Sequence, residues 1–177
     1  MIFWSGYERD VRVGRARRIW VRRAKCRRCG VSHALIPAFC LLGRLDGVAV
    51  ILGALARVAA GATVVVVAGA IDVPYTTVRD WRRRHLARSE VLAAGFAAMT
   101  VRWSGVAPVL SPGSEAASME ALGAAWEAAR RCLEGRLPVM GRWWSLVTGG
   151  ASLAATRDPP WIGGGDWGLM PPVPLRP

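Results

Sequence analysis

Lysine is nearly missing from this 177-residue chain: Lys25 is the single lysine among 24 basic residues. With alanine and glycine abundant, that bias reflects a high-G+C coding sequence, so the arginine preference alone carries no chemistry. Cysteine is scarce too, with Cys26, Cys29, Cys40 and Cys132 as the full set. No apolar leader precedes Glu8-Arg9-Asp10, so a secreted disulfide framework is not expected and the cytoplasm is the default compartment. Long hydrophobic runs are lacking. Residues 45–71 are very apolar, but Arg57 interrupts them, and the longest uncharged piece, Val58 to Ile71, is 14 residues. A spanning helix needs roughly 18–20. A Ser/His/Asp set and a glycine-rich phosphate loop are also missing. Glu115, Glu120, Glu127 and Glu134 fall on or near one expected helix, where carboxylates ordinarily form its solvated face. The chain therefore does not read as an enzyme. Its 53% hydrophobic content is enough to bury a core, which excludes wholesale disorder.

What is present in excess is positive charge, and its placement says more than its total. The formal net charge is +12, from 24 basic and 12 acidic residues. Residues 1–31 hold ten basic and two acidic side chains, and residues 75–88 hold five arginines and Asp80. Residues 32–74 and 89–177 are each balanced. Charge confined to two short segments is the footprint of a polyanion-binding surface.

The chain pattern implies a mainly α fold: a helix-turn-helix bundle with a small N-terminal β-hairpin and further C-terminal helices. Residues 7–25 alternate apolar and basic, with Val11/Val13 and Ile19/Val21 on either side of Gly14. That is period two, and predicts two short antiparallel strands with arginines on the open face. Residues 46–60 read as a helix with Val48, Ile51, Leu52 and Leu55 on one face. Gly61-Ala62-Thr63 breaks it and can cap the next element. Val64 to Ile71 favours a strand by propensity, yet its context argues for a short helix. Helices are also expected over 75–87, 89–102, 115–134 and 139–148. In the third of these Met119, Leu122, Trp126, Ala129 and Leu133 make the apolar stripe. The implied units are residues 1–42, 43–88 and 89–150, with a Pro/Gly-rich, disordered tail over 151–177.

The strongest functional pattern runs from Val67 to Trp81. Two helices crossing at a tight turn need a small residue where their backbones approach, a permissive residue at the turn, and apolar inner faces. Ala68 is the small residue, and Asp72 sits at the turn, where a left-handed conformation is needed. Val73 plugs the turn. Val67 and Ile71 face inward from the first helix, Val78 and Trp81 from the second. Pro74 suits the first turn of the second helix. Tyr75, Thr76, Arg79, Asp80 and Arg83 then face outward, with Thr77 and Arg84 beside them, as a helix entering the major groove requires. His85, after three arginines, is expected to meet phosphate or solvent.

Cys26-x-x-Cys29-Gly30 after an arginine-rich strand has the shape of one zinc knuckle. A tetrahedral structural site needs four ligands, and only His33 and Cys40 are on hand to complete this one. Zinc is therefore expected at well under one ion per chain. Cys132 is expected as a small core residue. The arginines around the knuckle, Arg22, Arg23, Arg27 and Arg28, are candidate phosphate contacts.

The run Trp20 to Pro37, followed by Asp72 to Arg84, resembles actinobacterial mobile-element-associated proteins of uncharacterised role. These join a zinc-ribbon-like N-terminus to a homeodomain-like helix-turn-helix of the transposase type. The likeness covers about residues 4–150. In that family a Cys-x-x-Cys precedes the hairpin, where this chain has Trp4-Ser5-Gly6-Tyr7, so half a zinc ribbon is expected. The resemblance implies sequence-specific recognition of double-stranded DNA near a transposable element, with a transposase as a further candidate partner, no small-molecule substrate, and a nucleoid-associated protein in the cytoplasm. Two other classes stay open: a membrane-associated helical hairpin over 45–71, and a non-functional remnant of such an element.

Overall fold

The computed structural model of the chain describes residues 2–28, 30–154 and 159. Among them a three-stranded antiparallel sheet is followed by six helices. β1 (Ile2–Val13) and β2 (Arg15–Lys25) form one long hairpin. It turns at Gly14, whose φ of 73° is freely open only to glycine. β3 (Ser32–Ala34) extends the sheet on the far edge of β2, an element too short to leave a periodic signal. β1 also reaches further than the alternation indicated, because it resumes beyond an irregularity between Phe3 and Ser5.

The register puts Tyr7, Arg9 and Val11 on one face with Val21, Ile19 and Arg17 opposite them, and Val11 and Val21 are buried there. The expectation that the hairpin arginines all line the open face is corrected by Arg9 and Arg12. Arg9 shares the buried face, and its guanidinium donates to the Leu41 carbonyl at 3.0 Å and to the Arg44 carbonyl. Arg12 clasps the loop before the first helix. Its N–H donates to Leu45 O and its own carbonyl accepts from Gly47, both at 2.8 Å. Its Nε donates to buried Asp46 at 2.6 Å. Gly47 permits that approach: a Cβ there would come within 2.9 Å of Val13 Cγ2. The hairpin tip is thus fastened to the helices, while the rest of the ladder projects.

Helix α1 (Val48–Ala59) buries Val48, Ile51, Leu52 and Leu55 on the expected face. Helix α2 (Val64–Ala70) overrides the strand propensity of its four valines. The Thr63 side chain caps it by accepting from Val66 N–H at 3.3 Å, and Val67 and Ala68 are buried. Val65 and Val66 remain exposed. Helices α3 (Tyr75–Leu86), α4 (Ser89–Ser104), α5 (Ser114–Cys132) and α6 (Met140–Val147) follow. One core gathers Leu41, Ile51, Leu55, Val78, Trp81, Phe96, Leu122 and Trp144 with their neighbours. No helix among the described residues is long and apolar enough to cross a membrane, and the apolar face of α1 is occupied by this core.

Two expectations are corrected by the packing. The buried face of α5 is Ser118, Ala121, Leu122, Ala125, Ala128 and Ala129, whereas Met119 and Trp126 lie at its margin. Small side chains let α5 approach α4 closely, so alanine rather than the large residues marks the contact. The tail boundary at 151 is also too early. Ala151, Ser152 and Leu153 are buried, and Leu153 O accepts from Arg44 at 3.1 Å. The remaining tail positions, Ala154 and Pro159 excepted, lie outside the described residues.

The turn between α2 and α3 follows the left-handed plan. Asp72 has φ 51°, Val73 N–H donates to Ala68 O at 3.1 Å, and Asp72 N–H donates to Gly69 O at 3.4 Å. This closes the helix in a Schellman arrangement with Val73 folded over Ala68. An L side chain at that φ carries a cost that glycine lacks, reduced but not removed for aspartate. Asp72→Gly is therefore expected to raise stability by about 0.5–1 kcal/mol, and Asp72→Val to lower it by more. Urea midpoints of the two variants check this, and a loss of stability on Asp72→Gly would contradict the strain argument.

Candidate nucleic-acid interface

Helix α3 is anchored along one side and free along the other. Val78 and Trp81, three residues apart, are buried as the spacing requires, and His85 follows four residues later on the same side. His85 corrects the expectation that it meets phosphate or solvent. It is fully buried, with Nε2 2.9 Å from Ser118 Oγ on α5. The Ser118 hydroxyl donates to Glu115 O, so its oxygen accepts from His85 Nε2–H. Nδ1 has no hydrogen-bond partner. Burial pushes the imidazole pKa down to about 4, against a smaller upward pull from Glu115. His85 thus adds no charge to the interface near neutral pH.

On the outward side Tyr75, Thr76, Arg79 and Arg83 are exposed, and Thr77, Asp80 and Arg84 are half-buried. The Arg79 guanidinium lies 5.6 Å from the centre of the Tyr75 ring, with no carboxylate within ion-pair distance among the described residues. Asp80 is the hub of a cation network. It accepts from Arg83 at 2.6 Å, from Arg84 at 2.7 Å and from Arg44 at 3.4 Å. Hydrogen bonds from Arg84 and then Arg83 hold its carboxyl below the usual range, outweighing its partial burial. Arg82 is drawn away from this face by a bidentate pair with Glu115, at 3.0–3.2 Å. Pro74 sits one position earlier than expected. It precedes the helix as its cap residue, with φ −52° and ψ 137°, and its carbonyl accepts from Thr77 and Val78. Its missing N–H is unneeded there as well.

A cleft of about 310 Å³ separates the docked hairpin tip from the first turns of α3, lined by Arg12, Arg44, Asp46, Thr76, Thr77 and Asp80 among others. Its arginines already face its aspartates. The other predicted arginines lie elsewhere. Arg22 is paired across the ladder with Gly6, six residues from Arg12, so it stands about 20 Å along the strand from the tip. Arg23 on the strand, and Arg27 and Arg28 in the turn after it, are exposed at that same far end. The two basic segments therefore form two surfaces, joined only through the hairpin tip.

Cys26 begins a tight turn in which Gly30, at φ 72°, donates to Cys26 O at 2.9 Å. Cys29 lies outside the described residues. Among the described residues no three His, Cys, Asp or Glu side chains gather as a metal set, so His33 and Cys40 are not brought together with Cys26. Cys40 is wholly buried, and desolvation pushes its thiol pKa up despite the nearby charge of Arg9. Cys132 is half-buried, with its Sγ–H directed at Trp103 O.

Sequence reasoning missed Arg44, whose guanidinium ties the loop before α1 to α3 and to Leu153. A lone arginine in a loop has no periodicity to betray it. It also missed the exposed aromatics Phe3, Trp4 and Trp20, the first two of which lie beyond the clean alternation. No protein-family model, curated protein or solved structure matches the chain, so the reading of these surfaces rests on their own geometry.

Proposed function

We propose that α2 and α3 act as a helix-turn-helix and that the chain is a sequence-specific binder of double-stranded DNA, with no catalytic role. The observation that carries this is the division of α3. Val78, Trp81 and His85 fix one side in the core, and Tyr75, Thr76, Arg79 and Arg83 are exposed on the other. A helix so held can present its first turns to the major groove. Association with a transposable element and its transposase is the setting that the sequence resemblance suggests. The surplus charge on α3 supplies attraction to phosphate, and Asp80 offers little repulsion because three arginines surround it.

Specificity and attraction separate by position. Arg79 belongs to the first turns and is held only over Tyr75, so it is the residue placed to reach a guanine edge, a bidentate contact worth about 1–3 kcal/mol against the wrong base. Arg83 is exposed one turn later, nearer the backbone. Arg79→Ala is expected to reduce discrimination between selected and random duplexes by about 5- to 150-fold. Arg83→Ala should weaken both equally, and affinity should fall with salt at a log–log slope of about −0.9 per phosphate contacted. Selection from a random duplex library, followed by competition binding at several salt concentrations, tests all three. A flat salt response, or identical behaviour of the two variants, would remove the recognition assignment.

A further inference from the structure

The projecting part of the hairpin carries a second surface that α3 does not use. Trp20 is 60% exposed, Phe3 67% and Trp4 61%, although a three-stranded sheet beside a helical core could have turned such rings inward. The register sets Phe3 opposite Ala24, Gly6 opposite Arg22 and Glu8 opposite Trp20. Residues 20, 22 and 24 alternate onto one face, so Phe3, Arg22 and Trp20 share it. The Trp20 indole lies over Gly6: a Cβ on Gly6 would come within 2.4–2.6 Å of three indole atoms. Glycine at position 6 is what lets the ring come this close to the sheet while staying 60% exposed. Beside it the Arg22 guanidinium is 5.6 Å from the centre of the Phe3 ring, while Lys25, which alternates to the other face, has its Nζ 5.3 Å from the centre of the Trp4 ring. Glu8, directly across the ladder from Trp20, and Asp10, nearer the tip, are both paired with Arg18 at 3.3–3.4 Å. Away from the tip the charge is wholly positive: Arg22, Arg23, Lys25, Arg27 and Arg28.

We infer that this face binds single-stranded DNA, with bases stacked on Trp20 and Phe3 and the backbone drawn along Arg22 and the basic turn. Three features select that occupant. Open ring faces accept unpaired bases, whereas bases within a duplex are already stacked on one another. Cations interleaved with the rings place positive charge where each nucleotide brings a phosphate. A second copy of this chain would meet the same positive charge, and since Glu8 is already paired with Arg18, burying further guanidinium groups there disfavours a protein interface. The surface is distinct from the recognition side of α3, so a duplex with an adjoining unpaired strand would engage both.

The test uses the full chain and a fluorescent thymidine oligomer of about 12 nucleotides, followed by anisotropy at physiological salt. Trp20→Ala and Phe3→Ala should each weaken binding on the order of tenfold without changing the salt slope. Trp20→Phe, which keeps a ring, should stay within about threefold of the parent. Circular dichroism should be unchanged, since both rings lie outside the core. Arg79→Ala should leave the oligomer bound as before, so a failure of the duplex assignment and a failure of this one are distinguishable. If the Trp20→Ala/Phe3→Ala double variant holds the oligomer within about twofold of the parent, the platform is not a nucleotide site. An RNA of the same length bound more than about tenfold tighter would overturn the DNA assignment. Trp20-dependent dimerisation without nucleic acid would assign the face to a second copy instead.

Discussion

Trp81→Ala is expected to cost about 3–5 kcal/mol of folding stability, the largest effect of any single substitution on α3. Trp81 is 2% exposed and belongs to the central cluster with Val78, Ile51 and Leu55. Removing the indole opens a cavity where the loop before α1, α1 and α3 converge. Domains of this size are commonly stable by only about 5–15 kcal/mol, so the variant should sit near its unfolding threshold and lose the proposed DNA binding through the fold. Arg79→Ala removes no core contact and should leave the denaturation midpoint unchanged. Urea unfolding followed by far-UV circular dichroism separates the two. A Trp81→Ala protein that loses less than about 1 kcal/mol would show that α3 is not fixed by this residue.

Acid should destabilise the protein well above the range where carboxylates titrate, because of His85. In the unfolded chain its imidazole titrates near the ordinary value of 6.5, and in the folded protein burial lowers this to about 4. The folded state therefore resists the proton that the unfolded state accepts. The stabilisation is fully present above about pH 6.5 and is lost as pH falls toward 4, a change of order 3 kcal/mol. The hydrogen bonding gives the same sign: Nε2–H already donates to Ser118, and a second proton on Nδ1 would be a buried donor with no acceptor. Asp80, with its carboxyl pKa held low, acts in the same direction only at still lower pH. His85→Gln keeps a donor toward Ser118 and cannot titrate, so its stability should be nearly flat between pH 7 and 4.5. A parent protein equally flat over that interval would mean that the imidazole is reached by water.

The pair of helices at the centre of this reading was legible in the sequence for a definite reason. Ala68, Asp72, Val73, Val78 and Trp81 are spaced by local geometry, and each requirement of a tight helix crossing falls on one residue. Even the aspartate in place of glycine met its left-handed conformation, at φ 51°. The valine run could be read as helix because Thr63 and the turn flanked it, and the local cap outweighed strand propensity. The hairpin was visible through period two and Gly14, but its true length was not, since the alternation is broken at the irregularity near Phe3.

What the sequence by itself determined is local: six helices close to their expected bounds, a hairpin with its turn, and a positive charge confined to two segments. These follow from periodicity, capping and composition, which act between residues near in the chain. Only the tertiary structure decided which charges remain available. Of the α3 arginines, Arg82 is taken by Glu115, 33 residues away, and Arg83 and Arg84 by Asp80, three and four residues away. Arg9 and Arg12, indistinguishable in the sequence from their neighbours, became fasteners of the hairpin because loop 41–46 brings carbonyls and Asp46 to them. His85, read as a surface group from its arginine-rich surroundings, was turned inward by the helical phase it shares with Trp81 and met Ser118 on another helix. The separation of the two basic segments was likewise set by where the hairpin is fastened. Long-range pairing and burial leave no mark in a local pattern, so the chain's charge could be counted from its sequence but its two surfaces could be located only in the fold.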